Sequence, residues 1–272
     1  MKRTVAAALQ EAEAAIGRVD ARALACAALG VDRAWLVAND LRLLTETEDA
    51  RFDALVAQRA LGHPVAYLTG RREFWSREFA VGPGVLIPRP ETETLVEAAL
   101  SRGGRRIAAL DLGTGSGAIA VTLACERPDW RVIATDASAA ALEIARANAA
   151  THGANVDLRE GSWYAPLAGE AFDLIVSNPP YVAAGDRHLA EGDLRFEPAG
   201  ALTDGSADGL DSIREIVAHA PEHLKSGGWI LIEHGYDQAG ACLALLAAAG
   251  FEELATLSDL AGIPRVAGGR LA

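Results

Sequence analysis

The sequence is poor in cysteine and has no long apolar run. Only three of its 272 residues are cysteine, Cys26, Cys125 and Cys242, and no two of them stand at the spacing of a metal or redox motif. This pattern indicates a reducing compartment, and we expect a cytoplasmic protein without structural zinc. The longest apolar stretch, around residues 241–249, is far too short to cross a bilayer, so we predict no membrane partner.

Several catalytic signatures are also missing. The sequence has no Walker loop, HExxH, CxxC or Ser/His/Asp elbow, and its six histidines show no ligand spacing. We therefore predict no metal site. The N-terminal stretch MKRTVAAALQEAEAA has Glu11 and Glu13 in its apolar part and does not predict a secretory signal.

Positive charge is scarce, and the shortage is uneven. The chain has 25 Lys or Arg against 37 Asp or Glu, a formal net charge of -12. Residues 1–80 hold 11 of each sign, so residues 81–272, with 14 basic and 26 acidic side chains, carry the whole excess. Phosphate contacts need a basic surface, so the second stretch disfavours direct nucleic-acid binding. The step in charge also hints at two domains.

The first stretch of the chain predicts a helical bundle. Residues 1–60 are rich in Ala, Leu, Arg and Glu, with apolar residues at helical spacing. Asp20 and Asp32 are predicted N-caps, and Gly17 and Gly30 are predicted helix stops. We place the bundle at residues 1–72.

Glycine and proline become frequent between about residues 62 and 90, where helices cannot continue. Residues 74–79 and 85–87 are predicted to pair as a short β-hairpin. The aromatic residues in this stretch favour burial, so it is expected to be less flexible than a Gly/Ser linker. We place a hairpin linker at residues 73–90 and the second domain at residues 91–272.

Strands and helices alternate in the second domain. This alternation predicts an α/β fold with a doubly wound, seven-stranded, mostly parallel, Rossmann-like sheet that binds ligands at the carboxyl ends of its strands. The predicted helices cover residues 91–100, 117–126, 139–152, 210–223 and 238–249. The predicted strands cover residues 106–110, 132–135, 156–159, 172–177, 229–233, 252–257 and 265–271.

A glycine-rich loop, DLGTGSG at residues 111–117, follows the first of these strands. Glycine lets a backbone turn sharply and approach a ligand. Gly113, Gly115 and Ala118 satisfy the loose dinucleotide pattern, which leaves an NAD-dependent protein open. A tight turn without a ligand is also open. The acidic residue two before the first glycine is more typical of an S-adenosylmethionine loop.

Asp136 ends the second strand of this domain. An acidic residue at this place can accept both hydroxyls of a ribose, in NAD or in S-adenosylmethionine. Its alternative role is to cap the helix that begins near residue 139.

The sequence Asn178-Pro179-Pro180-Tyr181 follows the apolar strand at residues 172–177. Two prolines fix the backbone and remove two N–H donors. A flat NH2 group can then donate to the Asn178 amide oxygen and the Pro179 carbonyl and stack on Tyr181. This suits methylation of a planar amide or of an exocyclic amino group. The alternative is a proline-rich turn without a role.

Together these residues resemble the class I S-adenosylmethionine-dependent methyltransferases of the bacterial PrmC/HemK family, the glutamine methyltransferases of peptide-chain release factors. The resemblance implies a helical bundle that is joined to a catalytic domain by a hairpin. It extends over GHPVAYLTGRREFW at 62–75, VLIPRPETE at 85–93, DLGTGSGAIA at 111–120, SNPPYV at 177–182, EPAGALTDGSADGL at 197–210, EHG at 233–235 and RVAGGR at 265–270.

The resemblance implies a role for each candidate residue. Asp136 holds the ribose of S-adenosyl-L-methionine, Trp163 lies beside the adenine, and Asn178 contacts both cofactor and substrate. An exposed loop tryptophan is the alternative for Trp163. The family often has Ile where Val182 stands and an acidic residue where Ser162 stands. The cofactor's amino-acid end is cradled by Gly113, Thr114, Gly115, Ser116 and Gly117, and the substrate glutamine is bound by Asn178, Pro179, Pro180 and Tyr181.

The implied reaction is methylation of the glutamine side-chain nitrogen in the Gly-Gly-Gln motif of release factors, with S-adenosyl-L-homocysteine as product. The bundle is expected to recognise the release factor. Two other substrates remain open, a ribosomal-protein glutamine and the adenine amino group of DNA or RNA. PRPETE at residues 88–93 favours the release-factor enzymes, because the ribosomal-protein relatives tend to read PRSPIAE there.

Overall fold

The computed structural model describes residues 2–272, which divide into two compact units. The first unit comprises the residues up to Arg71 together with Glu191–Phe196, and the second comprises Arg72–Ala190 and Glu197–Ala272. No helix in the described part of the chain combines the length and the apolar character that a membrane span requires.

The first unit is helical. Within residues 2–71 the helices are α1 (Val5–Ile16), α2 (Arg18–Leu29), α3 (Arg33–Ala38), α4 (Glu46–Ala60) and α5 (Val65–Thr69). Asp32 caps α3 by accepting a hydrogen bond from the Trp35 N–H at 2.7 Å, as predicted. Gly17 and Gly30 end α1 and α2 with φ of 83° and 68°, also as predicted. The prediction for Asp20 is wrong, because α2 begins at Arg18 and takes Asp20 into its first turn.

Glu191–Phe196 joins the first unit through side-chain contacts with α4 and the residues after it. Arg59 on α4 bridges Asp20 and Asp193 at 2.6 and 2.7 Å. Arg195 donates to the Leu61 carbonyl at 2.8 Å. No local sequence pattern predicts this placement, because the contacting residues are 134 positions apart in the chain.

A β-hairpin follows the first unit in the chain. It consists of β1 (Arg71–Phe74) and β2 (Arg77–Ala80). Trp75 and Ser76 form its two-residue turn with φ of 51° and 56°. A type I′ turn requires positive φ at both of its central positions. Hairpins favour this turn because its twist matches that of the paired strands.

The predicted pairing of residues 74–79 with residues 85–87 is therefore wrong. The chain reverses inside the first of these segments, and the second forms no strand. The N–H of Ile87 donates instead to the buried carboxylate of Glu197 at 2.9 Å. A side-chain acceptor from a distant part of the chain thus replaces the expected strand partner.

The hairpin packs into the core of the second unit. Phe74 and Phe79 are buried and meet edge to face, with ring centroids 6.0 Å apart. The Asn148 side chain accepts from the Ala80 N–H at 2.7 Å and donates to its carbonyl at 3.0 Å. The same amide donates to the Ser116 carbonyl at 2.8 Å, which ties the hairpin to the glycine-rich loop.

The second unit alternates strands and helices as the sequence predicts. Four short 3-10 turns occur among the described residues, at Pro90–Thr92, Ala165–Leu167, Arg187–Ala190 and Leu194–Phe196, the last of which lies in the first unit. The elements are α6 (Glu93–Arg102), β3 (Ala108–Leu112), α7 (Ala118–Glu126), β4 (Arg131–Asp136), α8 (Ala139–His152), β5 (Val156–Glu160), β6 (Phe172–Ser177), α9 (Ala199–Leu202), α10 (Asp211–His223), β7 (Leu224–Glu233), α11 (Ala239–Ala248), β8 (Phe251–Ser258) and β9 (Pro264–Leu271).

Seven of the described strands form one sheet in the order β5-β4-β3-β6-β7-β9-β8. The strands from β5 to β7 are parallel, and β9 runs antiparallel to both of its neighbours. This confirms the predicted doubly wound, mostly parallel sheet. The strand order reverses between β3 and β6, the position at which open α/β sheets bind ligands.

Buried side chains cover both faces of the sheet. Because side chains alternate along a strand, neighbouring residues on β3, β4 and β6 enter two separate apolar clusters. One cluster includes Ala109, Val132 and Leu174, with side chains of α6 and α7. The other includes Leu110, Ile133 and Ile175, with side chains of α10 and α11.

Candidate functional site

A cavity of about 430 Å³ opens at the carboxyl ends of β3, β4 and β6. Its volume suits a nucleoside-sized ligand. The wall brings together most of the residues that the sequence analysis singled out, although they come from four separate segments. They are Gly113, Thr114, Gly115, Ser116, Asp136, Trp163, Asn178 and Pro180.

The other three predicted residues, all within the described chain, lie outside the wall. Gly117 directly precedes α7 as its N-cap residue, with φ of 82°. Pro179 is buried, and Tyr181 packs against the apolar cluster on the α10 side of the sheet.

The glycine-rich loop is held by the end of the adjacent strand. The N–H groups of Gly113 and Thr114 both donate to the Thr135 carbonyl, at 2.9 and 3.0 Å. Gly113 has φ of 72°, and a Cβ there would stand 3.2 Å from the Trp163 ring. The loop therefore needs glycine at this position both for its backbone angle and for the approach of the tryptophan.

Asp136 is the last residue of β4, and its carboxylate orders two backbone segments. It accepts hydrogen bonds from the N–H groups of Gly115 and Ser138, each at 2.8 Å. Ser138, and not Asp136, caps α8 by accepting from the Ala141 N–H at 3.2 Å. The alternative role of Asp136 as the helix cap is thus wrong. A carboxylate has about four acceptor positions, so two remain for hydroxyls of a ligand.

Trp163 lies on the cavity wall and is half-buried. Its backbone has φ of 43°, and its carbonyl accepts a hydrogen bond from the Thr135 hydroxyl at 3.0 Å. The same strand end that fixes the glycine-rich loop therefore also fixes this residue. Ser162, which precedes it, is exposed.

Asp111 is fully buried beneath the glycine-rich loop and is not part of the wall. Its carboxylate accepts from the Thr114 hydroxyl at 2.7 Å. Burial raises the pKa of Asp111 to about 7, and the negative charge of Asp136 acts in the same direction. Asp111 thus shapes the loop from below.

Asn178 follows β6 at the point where the strand order of the sheet reverses. The Ser177 hydroxyl donates to the Leu112 carbonyl at 2.8 Å, which couples the ends of β6 and β3. The Asn178 Nδ2 donates to the Thr92 hydroxyl at 3.2 Å. Thr92 is buried and also lies on the cavity wall, although no role was predicted for it. The only feature of the sequence that indicated a role for Thr92 was its position inside the motif VLIPRPETE.

Tyr181 points away from the cavity toward a buried carboxylate. Its hydroxyl donates to the Oε1 atom of Glu233 at 3.1 Å, and its carbonyl accepts from Gln238 at 3.0 Å. Burial raises the pKa of Glu233 to about 7. Burial and the adjacent Glu233 carboxylate both raise the pKa of Tyr181. Glu233 belongs to the motif EHG, so it too had a sequence signal without an assigned role.

Glu197 joins two further parts of the wall, which are residues 84–86 with Pro88, and Pro198 with residues 200–201. Its buried carboxylate accepts from the Ile87 N–H at 2.9 Å and forms an ion pair with Arg89. Residues that are distant in sequence thus form one side of the cavity.

The chain is similar to known proteins over nearly its whole length. Residues 2–70 match the family described as PrmC N-terminal domain, and residues 90–200 match the family described as Methyltransferase small domain. A release factor glutamine methyltransferase from Xylella fastidiosa is 56% identical over 260 residues, which are 94% of this chain and 94% of that protein. This chain belongs to the release factor glutamine methyltransferase family.

A second member of this family, from Bordetella pertussis, is 51% identical over 265 residues, 96% of this chain and 97% of that protein. Membership confirms the resemblance seen in the sequence and makes the chain a methyltransferase. The fold agrees with that of the T. Thermophilus 16S rRNA N2 G1207 methyltransferase, solved in complex with AdoMet and guanosine. That structure has a TM-score of 0.56 and 21% identity, and the match covers 74% of this chain and 50% of that one.

Proposed function

We propose that this enzyme methylates the side-chain amide nitrogen of the glutamine in the Gly-Gly-Gln motif of peptide-chain release factors. The observation that carries the proposal is the Asn178 carboxamide, which lies on the same wall as the glycine-rich loop and is held through its Nδ2 by Thr92. Its Oδ1 accepts no hydrogen bond from residues 2–272 and is left for an NH2 donor. The relatives from Xylella fastidiosa and Bordetella pertussis are both named release factor glutamine methyltransferase, which supports the same substrate.

We propose S-adenosylmethionine as the cofactor and S-adenosylhomocysteine as its product. The residues on the wall fit it. Asp136 has acceptor positions left for ribose hydroxyls, and Trp163 offers a flat surface for a purine ring. Gly113 and Gly115 allow the close approach of an amino-acid group. The cofactor supplies a methyl group bonded to a positively charged sulfur.

The residues of this chain orient a poor nucleophile. The lone pair of a glutamine side-chain nitrogen is delocalised into its carbonyl, so placement of this nitrogen matters. The Oδ1 of Asn178 and the carbonyl of Pro179 accept the two N–H groups of the substrate. These acceptors direct the nitrogen and offset the positive charge that develops on it during transfer.

The deciding experiment is mass spectrometry of purified release factor after incubation with enzyme and cofactor. One methyl group on the motif glutamine is expected. DNA and ribosomal RNA incubated in parallel are expected to stay unmodified. Methylation of either nucleic acid without methylation of the release factor would reject the proposal.

Asn178→Ala tests the site within this assay. We expect the rate to fall at least about 100-fold, the cost of removing one preorganised transition-state contact. Cofactor affinity should be largely retained. Asn155→Ala, at an exposed asparagine, is the matched control. Full activity of Asn178→Ala would reject the assignment of Asn178.

We further propose that the first unit recognises the release factor. It carries large exposed apolar side chains, including Val37 and Leu41, which are 68% and 79% exposed. A double variant, Val37→Ser with Leu41→Ser, should raise KM for full-length release factor with little change in kcat. Leu260→Ser, at an exposed leucine of the second unit, is the control. An unchanged KM in the double variant counts against this role.

We also propose a cytoplasmic location. Cys26, Cys125 and Cys242 all carry free thiols in the structure, which fits a reducing compartment. Fractionation of cells that express the tagged protein tests this, and recovery in the membrane or secreted fraction would contradict it.

A further inference from the structure

The side chain of Asn148 connects the β-hairpin to the wall of the cavity. It lies on α8 with 1% of its surface exposed, and it bonds the backbone of Ala80 on β2 and of Ser116 in the glycine-rich loop. We infer that Asn148 is a positioning residue for the cofactor, because it holds the loop through a carboxamide whose orientation the hairpin fixes. This inference rests on the proposed cofactor.

Ala80 determines which end of the carboxamide faces the loop. Its N–H donates to the Oδ1 of Asn148 at 2.7 Å, and its carbonyl accepts from Nδ2 at 3.0 Å. A carboxamide with these two atoms exchanged would set donor against donor and acceptor against acceptor. The backbone of one residue thus selects a single orientation. The second N–H of Nδ2 is then directed to the Ser116 carbonyl, at 2.8 Å.

The peptide group between Ser116 and Gly117 is held at both ends as a result. Its carbonyl accepts from Asn148, and its N–H donates to the Thr114 carbonyl at 2.9 Å. Ser116 lies on the cavity wall with 3% of its surface exposed, and Gly117 directly precedes α7. Asn148 therefore fixes the part of the loop that leads into the helix.

The rest of the loop is held by the sheet. The backbone N–H groups of residues 113–115 donate to the Thr135 carbonyl and the Asp136 carboxylate. Both acceptors lie on β4, whereas the bond to Ser116 leads to α8 and β2. Residues 71–80 are all described, and none of them lies on the cavity wall. The hairpin thus acts on the cofactor through the loop and not by contact.

The expected defect without this bond is one of affinity. In the free enzyme the loop could then leave its binding conformation. The cofactor would bind only the fraction of molecules with a competent loop, and Kd would rise by the inverse of that fraction. Once the cofactor is bound, the loop is ordered and the groups that receive the substrate are unchanged. A rise in Kd without a fall in kcat therefore separates loop positioning from loss of structure.

Asn148→Ser tests the inference in the full-length enzyme, because serine is too short to join Ala80 to Ser116 and leaves room for water. We expect Kd for S-adenosylmethionine, measured by isothermal titration calorimetry, to rise about tenfold, the factor for one lost hydrogen bond. KM for the cofactor should rise with it, and kcat at saturating cofactor should change less than about twofold. Wild-type Kd, or a loss confined to kcat, would overturn the inference.

His152→Ala is the matched control. His152 lies on the same helix and contacts the same strand, since its Nε2 bonds the Glu78 carbonyl at 2.9 Å and its ring lies 5.1 Å from that of Phe79. Its side chain makes no hydrogen bond to the loop within residues 2–272. We expect a lower Tm with Kd within about twofold of wild type. A rise in Kd as large as that of Asn148→Ser would overturn the inference, because loosening of the hairpin would then suffice.

Ala80→Pro gives an independent test that leaves Asn148 in place, and it decides the question if Asn148→Ser does not fold. The side chain of Ala80 is exposed, and proline removes the N–H that the Oδ1 of Asn148 accepts. Kd should rise at least about threefold, because the carboxamide is no longer held in one orientation. Ala80→Ser keeps the N–H and should bind the cofactor like wild type. Equal affinities of the two Ala80 variants would overturn the inference.

The double variant, Asn148→Ser with Ala80→Pro, tests whether the two residues act in series. Its Kd should lie within about twofold of that of Asn148→Ser, since Ala80 acts through Asn148. Losses that multiply would overturn the inference. If wild type binds no S-adenosylmethionine, the proposed cofactor fails and the inference with it. If wild type binds the cofactor but leaves release factor unmodified, the proposed substrate fails, and the Kd values still decide the role of Asn148.

Discussion

The carboxylate of Asp136 accepts a hydrogen bond from the backbone N–H of Gly115 at 2.8 Å. This bond joins the loop after β3 to the last residue of β4. The residue that we propose to hold the ribose therefore also shapes the loop that we propose to receive the rest of the cofactor. Substitution of Asp136 should affect both.

Asp136→Asn should weaken binding of S-adenosylmethionine at least about tenfold. An asparagine side chain has one acceptor oxygen, whereas the aspartate has two. Its NH2 group cannot accept a hydrogen bond, so the N–H of Gly115, the N–H of Ser138 or a ligand hydroxyl loses its acceptor. Isothermal titration calorimetry measures the affinity. Asp157→Asn, on β5 and half exposed, is the control. Wild-type affinity in Asp136→Asn would show that Asp136 contributes nothing to binding.

Two glycines of the same loop form a matched pair. Gly113 and Gly115 have φ of 72° and 55°, so alanine at either place adds backbone strain of about 1–2 kcal/mol. A Cβ at Gly113 would also press on the Trp163 ring at 3.2 Å, whereas nothing lies within 4 Å of a Cβ at Gly115. Gly113→Ala should therefore lower Tm more than Gly115→Ala. Equal shifts, measured by differential scanning calorimetry, would contradict the tight contact.

The second unit was largely predictable because its elements have strong local signals. Helix α8 and strand β6 occupy the predicted residues, and the remaining strands agree within two positions, except that β7 begins five residues before its predicted start. Apolar runs define buried parallel strands, and glycine, proline and capping residues define their ends. The hairpin was mispaired because its turn, Trp75-Ser76, lacks the Asn-Gly or Asp-Gly sequence that usually indicates a type I′ turn.

The cavity was predictable only where a motif follows a strand directly. Asp136 and Asn178 stand at strand ends, so sheet topology brings them together. Thr92, Glu197 and Glu233 act through contacts between segments that are far apart in sequence. For example, the Ile87 N–H and the Glu197 carboxylate are 110 positions apart. Periodicity carries no information about such pairs.

Tyr181→Phe tests where the tyrosine acts. The structure places its hydroxyl on Glu233 and its ring against the core, so the loss should appear in stability. We expect the free energy of unfolding to fall by about 1 kcal/mol, because one buried hydrogen bond is lost. Urea denaturation measures the change. Tyr236→Phe, at a tyrosine that is 71% exposed, is the control.

Stability separates two roles for the same residue. Phenylalanine keeps a flat ring, so a ring that only stacks on the substrate would leave both activity and stability unchanged in Tyr181→Phe. A stability loss shared equally by Tyr181→Phe and Tyr236→Phe would contradict the bond to Glu233.

Glu233 should make stability depend on pH. Burial raises its pKa from 4.5 to about 7, and the nearby Glu91 acts in the same direction. Thr92, Tyr181 and Arg265 act in the opposite direction, but their effects are smaller. The folded state therefore holds this proton more tightly than the unfolded state. Stability from protonated Glu233 is fully present below about pH 4.5 and is lost as pH rises through about 7.

Glu233→Gln removes this dependence, since glutamine does not titrate. Relative to wild type, the variant should gain up to about 3 kcal/mol of unfolding free energy between pH 5 and pH 8. Urea denaturation of both proteins across that range gives the difference, in which the contribution of Asp111 cancels because both proteins retain it. Glu97→Gln, at an exposed glutamate on α6, should show no such trend. A difference that stays constant with pH would mean that Glu233 titrates in the folded protein as it does in the unfolded chain.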